Sequence, residues 1–321
     1  MIQPVPAWSW LGGRWERALL WRRSQVERLS RRRDRGKDGR LKLGLAIVAL
    51  FSGVALFAPL LAPHGPFDYL ATPLARPSPA HPLGTNDVGQ DQLSQLIYGA
   101  RASVLVGAVA AAISTAIAWG LGLLSGISRA ADTVVIAISD LLLVLPLLPL
   151  VILVAALLGG SLPVVVLTLG VVTWGPFARV IRGQVQAELR KPYVEAARAL
   201  GVGPIRLLLR HVGPATVGTA AAKFVMTAQY AIVAQASLAF LGLGDPSVIS
   251  WGEMVHRAAQ SPLIFLDGSW AWAMLPPALA IGLLVVGFAL IGWSVEERSL
   301  PQLVRVRLQR EPTPEAGRKE L

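Results

Sequence analysis

The chain has 321 residues, of which 54% are hydrophobic and only 15% charged, yet its formal net charge is +11. A soluble protein of this length spreads charge over its whole surface, whereas long stretches here carry none, which excludes an ordinary soluble domain. Cysteine is absent, which excludes a disulfide framework, a thiolate nucleophile and Cys-based metal ligation.

In chain order, residues 1–42 form a basic tail with twelve Lys and Arg between Arg14 and Lys42. Trp15, Leu19, Val26 and Leu29 fall near one helical face of this tail, a pattern suited to lying on an anionic membrane leaflet. A nucleic-acid-binding arm is the rival reading. It is set aside, because basic residues beside a first span already follow from topology.

A helix needs about 20 apolar residues to cross the hydrocarbon core. Six stretches meet that length: 43–61, 103–124, 133–158, 163–181, 214–241 and 272–293. The expected fold is therefore all-α and polytopic, with six transmembrane helices. Its parts are the basic tail 1–42, a first anchor 43–62, an extracytoplasmic segment 63–102, a core 103–293 and a second tail 294–321. The first anchor is too long, and its basic flank too extended, for a cleaved signal peptide.

Seven basic residues cluster between the fourth and fifth spans: Arg179, Arg182, Arg190, Lys191, Arg198, Arg206 and Arg210. Six follow the last span, while the other side holds only Arg76, Arg101 and Arg257. Basic loops stay in the cytoplasm, so both termini and the 182–213 loop are expected inside a prokaryotic cytoplasmic membrane.

The 182–213 loop reads as two short helices around a hinge. Residues 195–200 are good helix formers, Gly201 is a natural stop, Gly203 gives freedom, and Pro204 suits the first turn of a new helix. In that second helix Ile205, Leu208, Leu209 and Val212 fall on one face, and Arg206 and Arg210 lie one turn apart on another. Such a helix either presses into a partner's groove or lies on the lipid surface.

Glu195-Ala196-Ala197, followed by Gly201 and Pro214, resembles the EAA…G signature of permeases of binding-protein-dependent ABC importers. Four more segments resemble the C-type subunit of the peptide and nickel branch: His81-Pro82-Leu83-Gly84-Thr85-Asn86-Asp87-Val88-Gly89-Gln90-Asp91, Ile97-Tyr98-Gly99-Ala100-Arg101, Ala236-Ser237-Leu238-Ala239-Phe240-Leu241-Gly242-Leu243-Gly244, and Ser250-Trp251-Gly252-Glu253-Met254. The resemblance covers about 80–300. It implies a type I ABC importer permease fold, a homologous second permease, two ABC ATPase subunits and an extracytoplasmic substrate-binding protein. It also implies that the loop docks on the ATPase through Glu195, Ala196, Ala197, Gly201, Pro204, Ile205, Arg206, Leu208, Leu209 and Arg210. Three positions depart from the pattern: Gly213 replaces a usual leucine, Gln90 an arginine, and Gln235 a glutamate.

No Gly-x-x-x-x-Gly-Lys-Ser/Thr phosphate loop occurs, and no nucleophile–base pair stands out. The chain is therefore expected to be no enzyme and to need no cofactor, with ATP hydrolysed on another polypeptide. His64, His81, His211 and His256 are too scattered in sequence to suggest a zinc or iron site, so no metal is expected.

Burying a charge in a bilayer costs roughly 2.5–3.5 kcal/mol, so Asp140, Lys223, Gln229 and Gln235 should face protein or water. They are the candidate lining of a translocation path, with interhelical hydrogen bonding as the alternative. The outer loop 242–271, with Trp251 and an isolated Glu253, is expected to touch the binding protein; the alternative is a packed re-entrant cap. An ion- or proton-coupled secondary transporter using Asp140 or Lys223 is the other functional class, although no internal repeat is evident. The substrate itself is not legible.

Overall fold

The computed structural model describes residues 38–69, 71–262 and 264–299. The amphipathic reading of Trp15, Leu19, Val26 and Leu29 lies outside the described residues, as does most of the second tail.

Among the described residues, thirteen α-helical segments follow one another. They are α1 (Asp38–Leu56), α2 (Ala58–Leu61), α3 (Gln92–Leu124), α4 (Arg129–Val144), α5 (Leu147–Leu158), α6 (Leu162–Val172), α7 (Trp174–Leu189), α8 (Pro192–Ala199), α9 (Pro204–Leu207), α10 (Gly213–Phe240), α11 (Trp251–Gln260), α12 (Trp270–Ala273) and α13 (Leu275–Ser299). A π-helical turn, Leu208–Val212, joins α9 to α10. No strand forms among the described residues; two isolated bridges, Tyr69 with Gln90 and Thr85 with Asp91, pin the loop before α3. Helices pair their backbone polar groups within the segment, and this is the architecture that hydrocarbon permits.

Among the described residues, five stretches are long and apolar enough to cross a membrane: α1, α3, Leu162–Leu189, Pro204–Phe240 and Trp270–Glu296. The sixth expected span is broken. Helices α4 and α5 meet at 86°, because Pro146 lacks an N–H and forces Leu145 out of the helical region, to ψ 129°. The straight crossing expected for 133–158 is thus corrected to a bent pair. The fifth span also differs. It is continuous with the loop ahead of it, running unbroken for 37 residues from Pro204 to Phe240.

The long α3 is the central post, with α6, α7 and α10 packed against it. Asp91 caps its start by accepting from the Ser94 amide at 2.8 Å. Burial alone would raise the Asp91 carboxyl, but hydrogen bonds from Ser94 and His81 and the nearby His64 outweigh it and hold it below its ordinary value.

Interhelical polar contacts tie the posts together, as expected where lipid offers no alternative partner. Trp119 on α3 donates to Thr216 on α10 at 3.0 Å, and Thr173 donates to Ser114 at 2.9 Å. Asp132 and Asp140 on α4 pair with Arg182 and Arg179 on α7.

The described residues form four apolar clusters: a small one gathers Ala258, Ile264 and Ala273, and three fill the bundle. One, around Leu123, Val185, Val194, Leu207, Leu208 and Val212, lies at the end that carries the 182–213 loop. A second joins α1, α3, α10, α11 and α13 around Ile232, Trp251 and Leu284, and a third lies between α3, α5, α6 and α10 around Val106, Val151 and Leu169.

Candidate functional site

The 182–213 loop is built on the end of α7. Glu188, nearly buried, accepts from Lys191 Nζ at 2.5 Å and from the Tyr193 hydroxyl at 3.0 Å, which fixes the turn leading into α8. Burial, together with the Glu188 carboxylate, pushes the Tyr193 hydroxyl up, so it remains the donor in that contact. Pro192 and Pro204 occupy the first turns of α8 and α9, where a missing N–H costs nothing.

Helix α8 ends in a Schellman motif. Val202 N–H reaches Ala197 O at 3.1 Å and Gly201 N–H reaches Arg198 O at 2.9 Å, with Gly201 at φ +80°. That left-handed backbone is the reason a glycine stands there. Val202 packs against the cluster beneath, so α8 is clamped rather than loose.

The clamp decides which side chains face outward. Val194 and Ala197 of α8 lie over Leu207, Leu208 and Val212, and all five are buried. Glu195, Ala196, Gly201, Pro204, Arg206 and Arg210 are exposed. Ile205 and Leu209 are 62% and 63% exposed, and Leu200, not singled out in the sequence, is 85% exposed.

Leu208 is therefore corrected: at 4% exposure it belongs to the chain's own core. A helical wheel puts Ile205, Leu208, Leu209 and Val212 on one face. The packing of α8 and the wider π turn split that face into an inner pair and an outer pair. Leu200, Ile205 and Leu209 remain as an apolar surface among Arg198, Arg206 and Arg210. Leu200 was recognisable only from its place just before the capping glycine, where a side chain leaves the packed face.

The four polar residues of the membrane core are not gathered at one point. Asp140 is ion-paired to Arg179 and is no isolated carboxylate. Lys223 lines a cavity of about 500 Å³ with Gln184, Thr219, Met226 and Glu296, near the loop-bearing end; its ammonium lies 5.5 Å from the Phe177 ring centre. Gln229 is half-buried on α10. Gln235, three turns beyond Lys223, is buried and donates to Ser250 Oγ at 3.1 Å. Ser250 in turn caps α11, so Gln235 serves the α10–α11 contact.

At the opposite end of the bundle, Trp251 and Glu253 of the outer loop are packed inward, and Glu253 is corrected from an isolated acid to a paired one. Trp251 is 1% exposed, donates its indole N–H to Leu96 O at 2.9 Å, and meets Phe51 edge-on at 5.2 Å between ring centres. Glu253 is not isolated: it is 9% exposed and accepts from Arg257 Nε at 2.9 Å. Both face inward because α11 lies directly on α3 and α10. A Cβ on Gly99 would come within 2.8 Å of the Trp251 ring, and one on Gly252 within 2.6 Å of Ala236 O. Three of the five sequence segments thus meet in one packed cap.

A family model for the binding-protein-dependent transport system inner membrane component matches residues 115–296. The chain belongs to this family. It is 34% identical over 269 residues to the di/tripeptide transport system permease protein DppC of Pseudomonas aeruginosa, covering 81% of this chain and 87% of that one. It is also 31% identical over 267 residues to the oligopeptide transport system permease protein OppC of Bacillus subtilis, covering 81% and 85%. The glutathione transport system permease protein GsiD of Pectobacterium atrosepticum is 32% identical over 260 residues, covering 80% and 85%.

The chain is accordingly a multi-pass membrane protein, the permease subunit of an ABC importer and a transport subunit rather than an enzyme. This displaces the secondary-transporter alternative.

Proposed function

We propose that this permease forms half of a translocation path for short peptides, and that it is driven by ATPase subunits docking on the 182–213 loop at the cytoplasmic face. A homologous permease completes the path, two ABC ATPases drive it, and an extracytoplasmic binding protein delivers the substrate. The peptide assignment rests on the named substrates of its relatives.

The observation that carries the coupling role is the unbroken helix from Pro204 to Phe240. Ile205 and Leu209, exposed near its first turns, share one rigid rod of about 55 Å with Lys223 and Gln229. A push on the exposed apolar surface becomes a tilt of the helix that lines the candidate path. Alternating access needs such a two-position element, biased by ATP at one end and by substrate at the other. Arg198, Arg206 and Arg210 suit acidic groups at the rim of an ATPase groove, and Leu200, Ile205 and Leu209 supply its buried anchors.

The substrate class is tested in liposomes holding this chain together with a homologous permease, two ABC ATPases and a substrate-binding protein. Labelled dipeptide should accumulate when ATP is inside with the ATPases and the binding protein is outside, and unlabelled di- and tripeptides should compete. Accumulation of a non-peptide solute that peptides do not displace would contradict the peptide assignment while leaving the coupling role standing.

A further inference from the structure

The end opposite the coupling loop brings together two histidines that are far apart in sequence. His64 follows α2, His81 opens the turn that leads to α3, and both converge on Asp91, the α3 cap. His81 Nδ1 lies 2.9 Å from Asp91 Oδ1 and His64 Nδ1 lies 3.9 Å from Asp91 Oδ2, while the two imidazole centres are 5.2 Å apart. One ligand atom from each residue falls within 4.8 Å of the other two.

We propose that His64, His81 and Asp91 form a divalent-cation site of the zinc class on the loop between α2 and α3. Two imidazoles and a carboxylate form a donor set suited to zinc. Ligands about 2.0–2.2 Å from a tetrahedral ion stand roughly 3.3–3.6 Å from one another. His81 Nδ1 lies 2.9 Å from Asp91 Oδ1 and His64 Nδ1 3.9 Å from Asp91 Oδ2, separations that small side-chain adjustments bring to that spacing.

A plain hydrogen-bonded clasp leaves one group unexplained. Asp91 Oδ1 is served by His81, and Oδ2 by the Ser94 amide at 2.8 Å and the Ser94 hydroxyl at 2.7 Å. His64 Nδ1 is nevertheless buried and has no hydrogen-bond partner. Buried polar atoms are rarely left so, and a cation shared with Asp91 gives this nitrogen its role.

The supporting shell is in place. Ser94 Oγ also accepts from the His64 backbone N–H at 3.1 Å, so one residue orients both a ligand carboxylate and a ligand backbone. Asp91 is fully buried, His81 is 12% exposed, and the His64 side chain is 32% exposed, leaving an approach for the ion and a fourth position for water. The bound ion would cross-link the 64–91 loop to the central post.

The full chain, purified without a histidine tag and held in lipid nanodiscs, is titrated with Zn²⁺ by calorimetry. One equivalent should bind and raise the Tm. His64→Gln and His81→Gln should each weaken binding by more than the 10–100-fold typical of losing an outer partner. Asp91→Asn should weaken it while still capping α3, and His256→Gln should leave it unchanged. His64→Gln is the decisive variant, because its ring nitrogen has no hydrogen-bond partner to lose. Zn²⁺ affinity and Tm shift unchanged in His64→Gln, or no binding by the wild-type chain, would overturn the site.

Discussion

Leu208→Asp is expected to deplete the folded permease from the membrane, rather than merely release an ATPase. Leu208 is 4% exposed and packs with Leu123, Val185, Val194 and Val212. Its side chain lies where a Cβ on Gly126 would be only 2.9 Å from it. Truncating such a leucine to alanine costs about 2–5 kcal/mol, and an unpaired buried carboxylate adds a further penalty. Against a typical stability of about 5–15 kcal/mol, that is a large share. Membrane levels and thermal melts should both fall sharply, with Leu208→Ala intermediate. Normal abundance and melting of Leu208→Asp would mean that the side chain reaches water.

Trp251→Ala is expected to lift α11 off the bundle. The indole fills the junction of α1, α3 and α11, and its loss removes about 3–5 kcal/mol of packing together with the hydrogen bond to Leu96 O. The absence of native cysteine allows a clean reporter. Met254→Cys, at a position 4% exposed, should resist a membrane-impermeant thiol reagent in the parent and react quickly in the Trp251→Ala background. Equal rates in both would show that α11 is held by other contacts.

Much of this architecture was legible in the sequence. Long apolar runs located five spans, because a chain in lipid has few other options, and the EAA segment pointed to the loop that α8 and α9 build. Where the reading failed, the cause was tertiary. Pro146 signalled a weak point, but only the 86° bend between α4 and α5 shows that the crossing is broken there. Leu208 looked like Leu209 on a helical wheel, and only the packing of α8 separates them. Glu253 stands isolated in the sequence because its partner Arg257 lies one turn further along α11, and only a helix brings the two together. His64, His81 and Asp91 are brought together by a fold-back that no periodicity encodes.

Leu209, 63% exposed on the same rod as the candidate path, is the residue through which coupling is read most directly. The measurement is ligand-stimulated ATP hydrolysis by the reconstituted importer, comparing wild type with Leu209→Asp after melts confirm an intact fold. An interface anchor worth 2 kcal/mol or more corresponds to about 30-fold or more in affinity. The Leu209→Asp permease should fold properly, yet its ATPase partners should dissociate on dilution and its stimulated hydrolysis and uptake should be lost together. Leu209→Asp complexes that stay assembled, hydrolyse ATP on stimulation and transport at wild-type rates would contradict the coupling role of the loop.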